Sequence, residues 1–336
     1  MKFFKMRFFL TMQLRAKQAA VPYFKVCKKR LEGYDDKKDS GMLIDRWGSI
    51  SEHIDLLGSS EIPFYLVRGQ VWALIDSGVS PAIPALFDQF KAYPDIDARL
   101  KYIILTHSHF DHAGGLGFLL ARFPKANVLA SATTAEVFKK PKAVEYILGM
   151  NDGLARFAGI DFAKLGYARE NLRVDEIVKE GDRIELGNGV NLEVYDAPGH
   201  SRCSLAYVLN PDRALFSGEA IGFYNRPDQI LPEALSSFKD FIATLEKLSR
   251  LELKMLCLPH GGALFGDELK NYFPLALDCA RRFRAEFSDR LKKGQPEKEI
   301  LDQMTAAYYQ GRIRLQPEQV FRGNLQAMLA ALKKES

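Results

Sequence analysis

Thr106-His107-Ser108-His109-Phe110-Asp111-His112-Ala113-Gly114-Gly115 is the stretch on which the reading of this 336-residue chain turns. The chain has six histidines, and three of them fall here between positions 107 and 112. Imidazole nitrogens and carboxylate oxygens are the donors suited to zinc, iron or manganese, and they reach zinc at about 2.0–2.2 Å. The stretch is fed by residues 101–105, in which Ile103, Ile104 and Leu105 have the profile of a strand buried on both faces. A strand end followed by a tight loop splays neighbouring side chains around one point. Gly114 and Gly115 let the next helix begin close to that point.

The other histidines extend the pattern. His200 lies in Asp196-Ala197-Pro198-Gly199-His200-Ser201, after a strand expected over 191–195. His260 lies in Pro259-His260-Gly261-Gly262, after a strand over 254–258, and Glu219 follows Ser217-Gly218 after a strand over 214–216. Four separate strand ends thus present candidate ligands, as expected of a metal site at one edge of a sheet sandwich. His53 has no partner motif and reads as a hydrogen-bonded structural residue.

With these residues in place the chain resembles the metallo-β-lactamase superfamily, from about Phe64 to Gly262. The likeness rests on the H-x-H-x-D-H loop at His107–His112 and on Leu74-Ile75-Asp76-Ser77-Gly78. It also rests on Glu180-Gly181-Asp182 and on the Pro198-Gly199-His200 and Pro259-His260-Gly261 segments. The resemblance implies an α/β fold, an αββα sandwich with its metal site at the sheet edge. It assigns one divalent ion, most simply zinc with iron or manganese as alternatives, to His107, His109 and His200. A second ion falls to Asp111, His112 and His260. The position that usually supplies a bridging aspartate is Glu219 here. One extra methylene moves the carboxylate by more than about 1 Å, so bridging, binding one ion only and turning away all stay open.

Outside this region the apolar runs are short and separated by turn residues. Residues 64–68 and 71–75 read as a hairpin across Gly69-Gln70, and 183–186 and 191–195 as another across Gly187-Asn188-Gly189. Helical periodicity covers 84–93, 114–123, most of 133–174 and 237–251. From 267 the chain reads as three helices, over 267–293, 296–310 and 317–334, with Pro296 and Pro317 near helix starts. The division expected is a basic N-terminal extension (1–33), the metallo-β-lactamase-like domain (34–266) and an appended helical subdomain (267–336). Helices of that kind cap a site or form a dimer surface, so a homodimer through them is an expectation.

The net charge of +5 is localised: residues 1–30 carry nine Lys or Arg and no acid, which leaves the rest of the chain at −4. A mildly acidic body gives no case for nucleic acid as a partner. The basic segment suits a weak signal peptide, an amphipathic arm or a dispensable extension. No run approaches the roughly 18 apolar residues of a membrane span. The four cysteines, Cys27, Cys203, Cys257 and Cys279, follow no disulfide or metal spacing, which fits a reducing, cytoplasmic setting.

The function expected is hydrolysis of a small-molecule ester, thioester or lactone, as in glyoxalase II-like and lactonase-like relatives. A metal would lower the pKa of its bound water towards about 7, Asp111 would orient the resulting hydroxide, and Tyr224 or Arg226 would donate to an oxyanion or hold an anionic substrate. Phosphodiesterase chemistry, sulfur oxidation at a single iron and a degenerate site kept for binding are the competing classes. Oxygen reduction is disfavoured, because His109 stands where flavodiiron relatives carry a glutamate and no flavodoxin-like tail follows.

Overall fold

The computed structural model describes residues 43–159 and 172–335. The N-terminal basic segment, Cys27 and the aromatics Phe162 and Tyr167 of the expected helical insert lie outside the described residues. Two seven-stranded sheets form the centre. The first has the order β2-β3-β4-β5-β6-β7-β8, from β2 (Gly48–Ser49), β3 (Ile54–Gly58), β4 (Pro63–Arg68), β5 (Trp72–Ile75), β6 (Leu100–Ile104), β7 (Asn127–Ala130) and β8 (Glu176–Ile177). The second has the order β1-β16-β15-β12-β11-β10-β9. Its strands are β1 (Leu43–Ile44), β9 (Arg183–Gly187), β10 (Val190–Asp196), β11 (Leu205–Asn210), β12 (Ala214–Phe216), β15 (Met255–Cys257) and β16 (Ala263–Leu264). A separate hairpin pairs β13 (Phe223–Arg226) with β14 (Gln229–Leu231).

Strand alternation explains why the sheets stack as a sandwich inside helices. In β4, Tyr65 and Val67 face the second sheet, while Phe64 and Leu66 join the core under the first sheet's helices. In β11, Tyr207 and Leu209 face the first sheet, and Ala206 and Val208 face the opposite helices. Strands apolar on both faces need cover on both faces. The first sheet is covered by α1 (Ile83–Gln89), α2 (Ile96–Arg99), α3 (Phe110–Ala113), α4 (Leu116–Arg122), α5 (Ala132–Phe138) and α6 (Pro141–Ala158). The second is covered by α7 (Phe238–Leu248), α8 (Gly266–Lys292), α9 (Glu297–Tyr308) and α10 (Glu318–Glu335).

The boundary expected from sequence at 266/267 falls within the first turn of α8, which begins at Gly266. The core runs across it unbroken: Phe283, Phe287, Ile300, Leu325 and Met328 share one buried cluster with Leu215 and Leu256 of the second sheet. Among the described residues the large apolar side chains left exposed are Trp47, Tyr146 and Ile177, none of them on α8–α10. No described helix is long and apolar enough to cross a membrane. Cys203, Cys257 and Cys279 are free and buried.

Candidate metal centre

Five strands of the sandwich end at one rim. Asp76 follows β5, His107 follows β6, His200 follows β10, Glu219 follows β12 and His260 follows β15. Two tyrosines of the inter-sheet core tie these loops down. The Tyr207 hydroxyl donates to Leu105 O at 2.8 Å, just ahead of His107. The Tyr65 hydroxyl lies 2.7 Å from both Leu258 O and Gly262 O, on either side of His260.

The loop from Thr106 to Gly115 is also held from outside. Asn151 of α6, almost wholly buried, donates to Phe110 O at 3.0 Å and accepts from Ser80 N at 2.9 Å. Gly114 is required here, because a β-carbon on it would stand 1.8 Å from Asn151 Nδ2. Asp76 takes a left-handed backbone conformation, φ +60°, unusual for a residue with a side chain. Its carboxylate accepts from Thr106 N and His112 Nδ1, each at 2.7 Å. These bonds hold the turn and leave His112 Nε2 directed at the centre.

The site residues expected from sequence converge as two groups, His107–His109–His200 and Asp111–His112–Glu219–His260, each with its donor atoms within 4.8 Å of one another. His200 Nδ1 donates to Glu233 O at 2.8 Å and His260 Nδ1 to Glu61 O at 2.6 Å, so both rings present Nε2 inwards. Such contacts fix ring orientation in metal sites. Glu219 lies between the groups. Its Oε1 is 2.8 Å from His112 Nε2 and 3.1 Å from His260 Nε2, and its Oε2 is 3.5 Å from His107 Nε2 and 3.9 Å from His200 Nε2. Of the three placements left open for this longer acid, the geometry is that of a carboxylate with one oxygen towards each group.

The electrostatics differ between the groups. Burial pushes His107 well below the ordinary imidazole range, lowers His109, and takes His200 down to about 4. Burial thus favours the neutral imidazole, the form that can bind a metal; His109 Nδ1 and His200 Nε2 stand 2.9 Å apart. For His112 and His260, burial also opposes charge, but Glu219 together with Asp76 for His112, and Glu219 with Asp111 for His260, outweigh it and raise both. Burial would raise Glu219, yet His112 and His260 hold it well below the usual carboxylate range. Protons on these rings stand where a cation would satisfy the same carboxylate.

His107 Nε2 and Glu219 Oε2 are buried without a hydrogen-bond partner. Buried polar atoms are rarely left so, and both belong to a donor set of imidazoles and carboxylates. The residues present therefore fit divalent metal ions.

A sequence model of the metallo-beta-lactamase superfamily matches residues 62–260. The chain belongs to the metallo-β-lactamase superfamily. Over 204 residues it is 29% identical to the metallo-beta-lactamase fold-containing protein ST1585 of Sulfurisphaera tokodaii, covering 59% of this chain and 72% of that one. Over 196 residues it is 26% identical to the human acyl-coenzyme A thioesterase MBLAC2, covering 56% of this chain and 67% of the relative. A flavorubredoxin of Salmonella arizonae, an anaerobic nitric oxide reductase, is 28% identical over 173 residues, but only 30% of its length is matched. Among solved structures, a Cronobacter sakazakii metallo-beta-lactamase superposes with TM-score 0.51 at 21% identity, over 73% of this chain and 94% of that one. That likeness concerns the superfamily fold.

Not every residue singled out in the sequence reaches the centre. His53 pairs its Nδ1 with Asp212 Oδ1 at 2.6 Å, the structural role expected of it. Tyr224 does not join the cluster: alternation along β13 sends Phe223 to within 6.1 Å of the His260 ring and turns Tyr224 into the helical core, stacked on Tyr272 at 6.3 Å. Arg226 pairs with Asp228 at 3.3 Å. Conversely, Asn151 and Glu233 support the site without any local motif, while Asp76 stood in a strand-end Asp-Ser-Gly that marks such a turn.

Proposed function

We propose that this superfamily member hydrolyses an ester, thioester or lactone of a small molecule, using two divalent ions, with zinc the first choice and iron or manganese next. The observation that carries this reading is the Glu219 carboxylate lying between two donor groups, one oxygen towards each. His107, His109 and His200 would hold one ion; Asp111, His112 and His260 the other; Glu219 both. Bound there, such ions supply a water ionised near neutral pH and polarise a carbonyl.

The chain's own residues do the rest. Asp111, half-buried with its Oδ2 3.9 Å from His260 Nε2, is the carboxylate available at the mouth to orient the attacking water and take up its proton. Phe223 packs beside His260 and provides an apolar wall. The acyl-coenzyme A thioesterase relative favours the thioester branch.

The test is elemental analysis of chain purified without added metal, then a screen of acyl substrates. Less than about 0.2 equivalents of transition metal, unrecovered on reconstitution, removes the mechanism. Asp111→Asn should cut turnover by about 10²–10⁴; unchanged turnover contradicts the role given to Asp111.

A further inference from the structure

The loop that follows Glu219 grips a distant part of the chain. Asn225, fully buried, donates to Gln310 O at 2.9 Å and accepts from Ile313 N at 2.8 Å. It thereby clamps the 3₁₀ turn Gly311–Leu315 that links α9 to α10. Ile313 plugs the turn into the helical core, and Tyr309 closes it by donating to Gln316 O at 2.6 Å. A turn fixed at so many points presents its intervening side chain from a fixed base.

That side chain is Arg312. A β-carbon built on Gly261, the residue after the ligand His260, would stand 3.3 Å from Arg312 Nη2 and 3.7 Å from its Cζ. The guanidinium thus lies against the backbone of the ligand loop at the rim of the centre. Among the described residues Arg312 has no carboxylate partner, whereas its neighbour Arg226 pairs with Asp228. An arginine fork without an acid, half-exposed beside a site that accepts a leaving group, suits a carboxylate or phosphate.

We infer that Arg312 is a specificity-determining residue that binds an anionic group on the substrate, so that the preferred ester or thioester carries a carboxylate or phosphate near the bond broken. This rests on the acyl-hydrolase reading above. The anchoring role comes from the helical region at the C-terminal end, with the loop after Glu219 serving as its clamp.

The test uses the full chain, metal-loaded with its metal content measured, and three free thiols as leaving-group probes. These are 3-sulfanylpropanoate, 2-sulfanylethyl phosphate and the neutral 3-sulfanylpropanamide, with binding read by titration calorimetry. At least one anion should bind about 10- to 100-fold more tightly than the amide, and which one does so names the group. Arg312→Gln should bring that ratio close to one and Arg312→Lys should restore part of it. Arg314→Gln, on the exposed side of the same turn, should leave it intact. Asn225→Ala should lower the ratio without removing any charge. A native ratio near one in metal-loaded protein, or a ratio unmoved by Arg312→Gln, refutes the assignment while the metal chemistry stands. A chain that holds no metal overturns the hydrolase reading and this inference with it.

Discussion

Glu219→Gln keeps the size of the side chain and removes its charge. In the native chain Oε1 lies 2.8 Å from His112 Nε2 and 3.1 Å from His260 Nε2, and Oε2 faces His107 and His200 at 3.5 and 3.9 Å. Loss of one partner from a buried charged cluster costs about 3–5 kcal/mol. At 1.4 kcal/mol per tenfold this is about two to three and a half powers of ten in affinity. Each group keeps three donors without Glu219, but the loss should fall unevenly, because the carboxylate lies nearer the second group, at 2.8 and 3.1 Å against 3.5 and 3.9 Å. Metal analysis combined with competition against a chelator of known affinity should give two tight equivalents for the native chain and one for the variant. Glu219→Asp should also weaken the second equivalent, since its carboxylate retreats by about 1.5 Å along one C–C bond and falls short of one group. Two equivalents held as tightly in Glu219→Gln as in the native chain would show that the carboxylate joins nothing.

Asn151→Ala removes the amide that fixes Phe110 O and Ser80 N, leaving Ser80 N without its partner and Phe110 O with only its bond from Gly114 N. About 2–4 kcal/mol of stability should be lost in chemical denaturation, with weaker metal retention; stability within about 0.5 kcal/mol of native contradicts the anchoring role. Phe283→Ala, in the core shared by α8 and the second sheet, should cost about 3–5 kcal/mol and shift the unfolding of the whole chain in one transition. A separate early transition would mean that residues 267–335 melt on their own. Glu233 is pushed from 4.5 to about 8, by burial first and then by Glu219 and Asp111. In metal-free chain the folded state therefore keeps a proton that the unfolded state releases. Native stability should fall as pH rises from about 4.5 to about 8, a loss that Glu233→Gln escapes. The melting-temperature gap between the two, measured with chelator present, should widen across that window and then level off. A gap independent of pH rules out a buried neutral Glu233.

The candidate ligands were legible because each follows a strand end near a glycine or proline signature, so local text marks both the turn and the donor. The strands β4, β5, β9 and β10 were legible for a related reason: apolar runs on either side of Gly69-Gln70 and of Gly187-Asn188-Gly189 leave little choice of period, whereas the two-residue β8 (Glu176–Ile177) is too short to show one. What stayed hidden depends on distance along the chain. Nothing near Asn151 says that its amide meets Phe110 O, and nothing near Arg312 says that it rests on Gly261. The Glu219 placement was undecidable from spacing, since it follows from where β12 ends relative to β6 and β15. Tyr224 was misjudged by one step of strand alternation, which gave the outward position to Phe223.

Tyr65 and Tyr207 stand in the apolar seam where the two sheets meet, yet each hands its hydroxyl to the backbone of a loop bearing an imidazole. Prying the layers apart and loosening the grip on a cation are then a single motion. Escape of the ion should keep pace with the rare breathing of the sandwich, slow while the seam is shut, and amide exchange along that seam would set the clock for chelation.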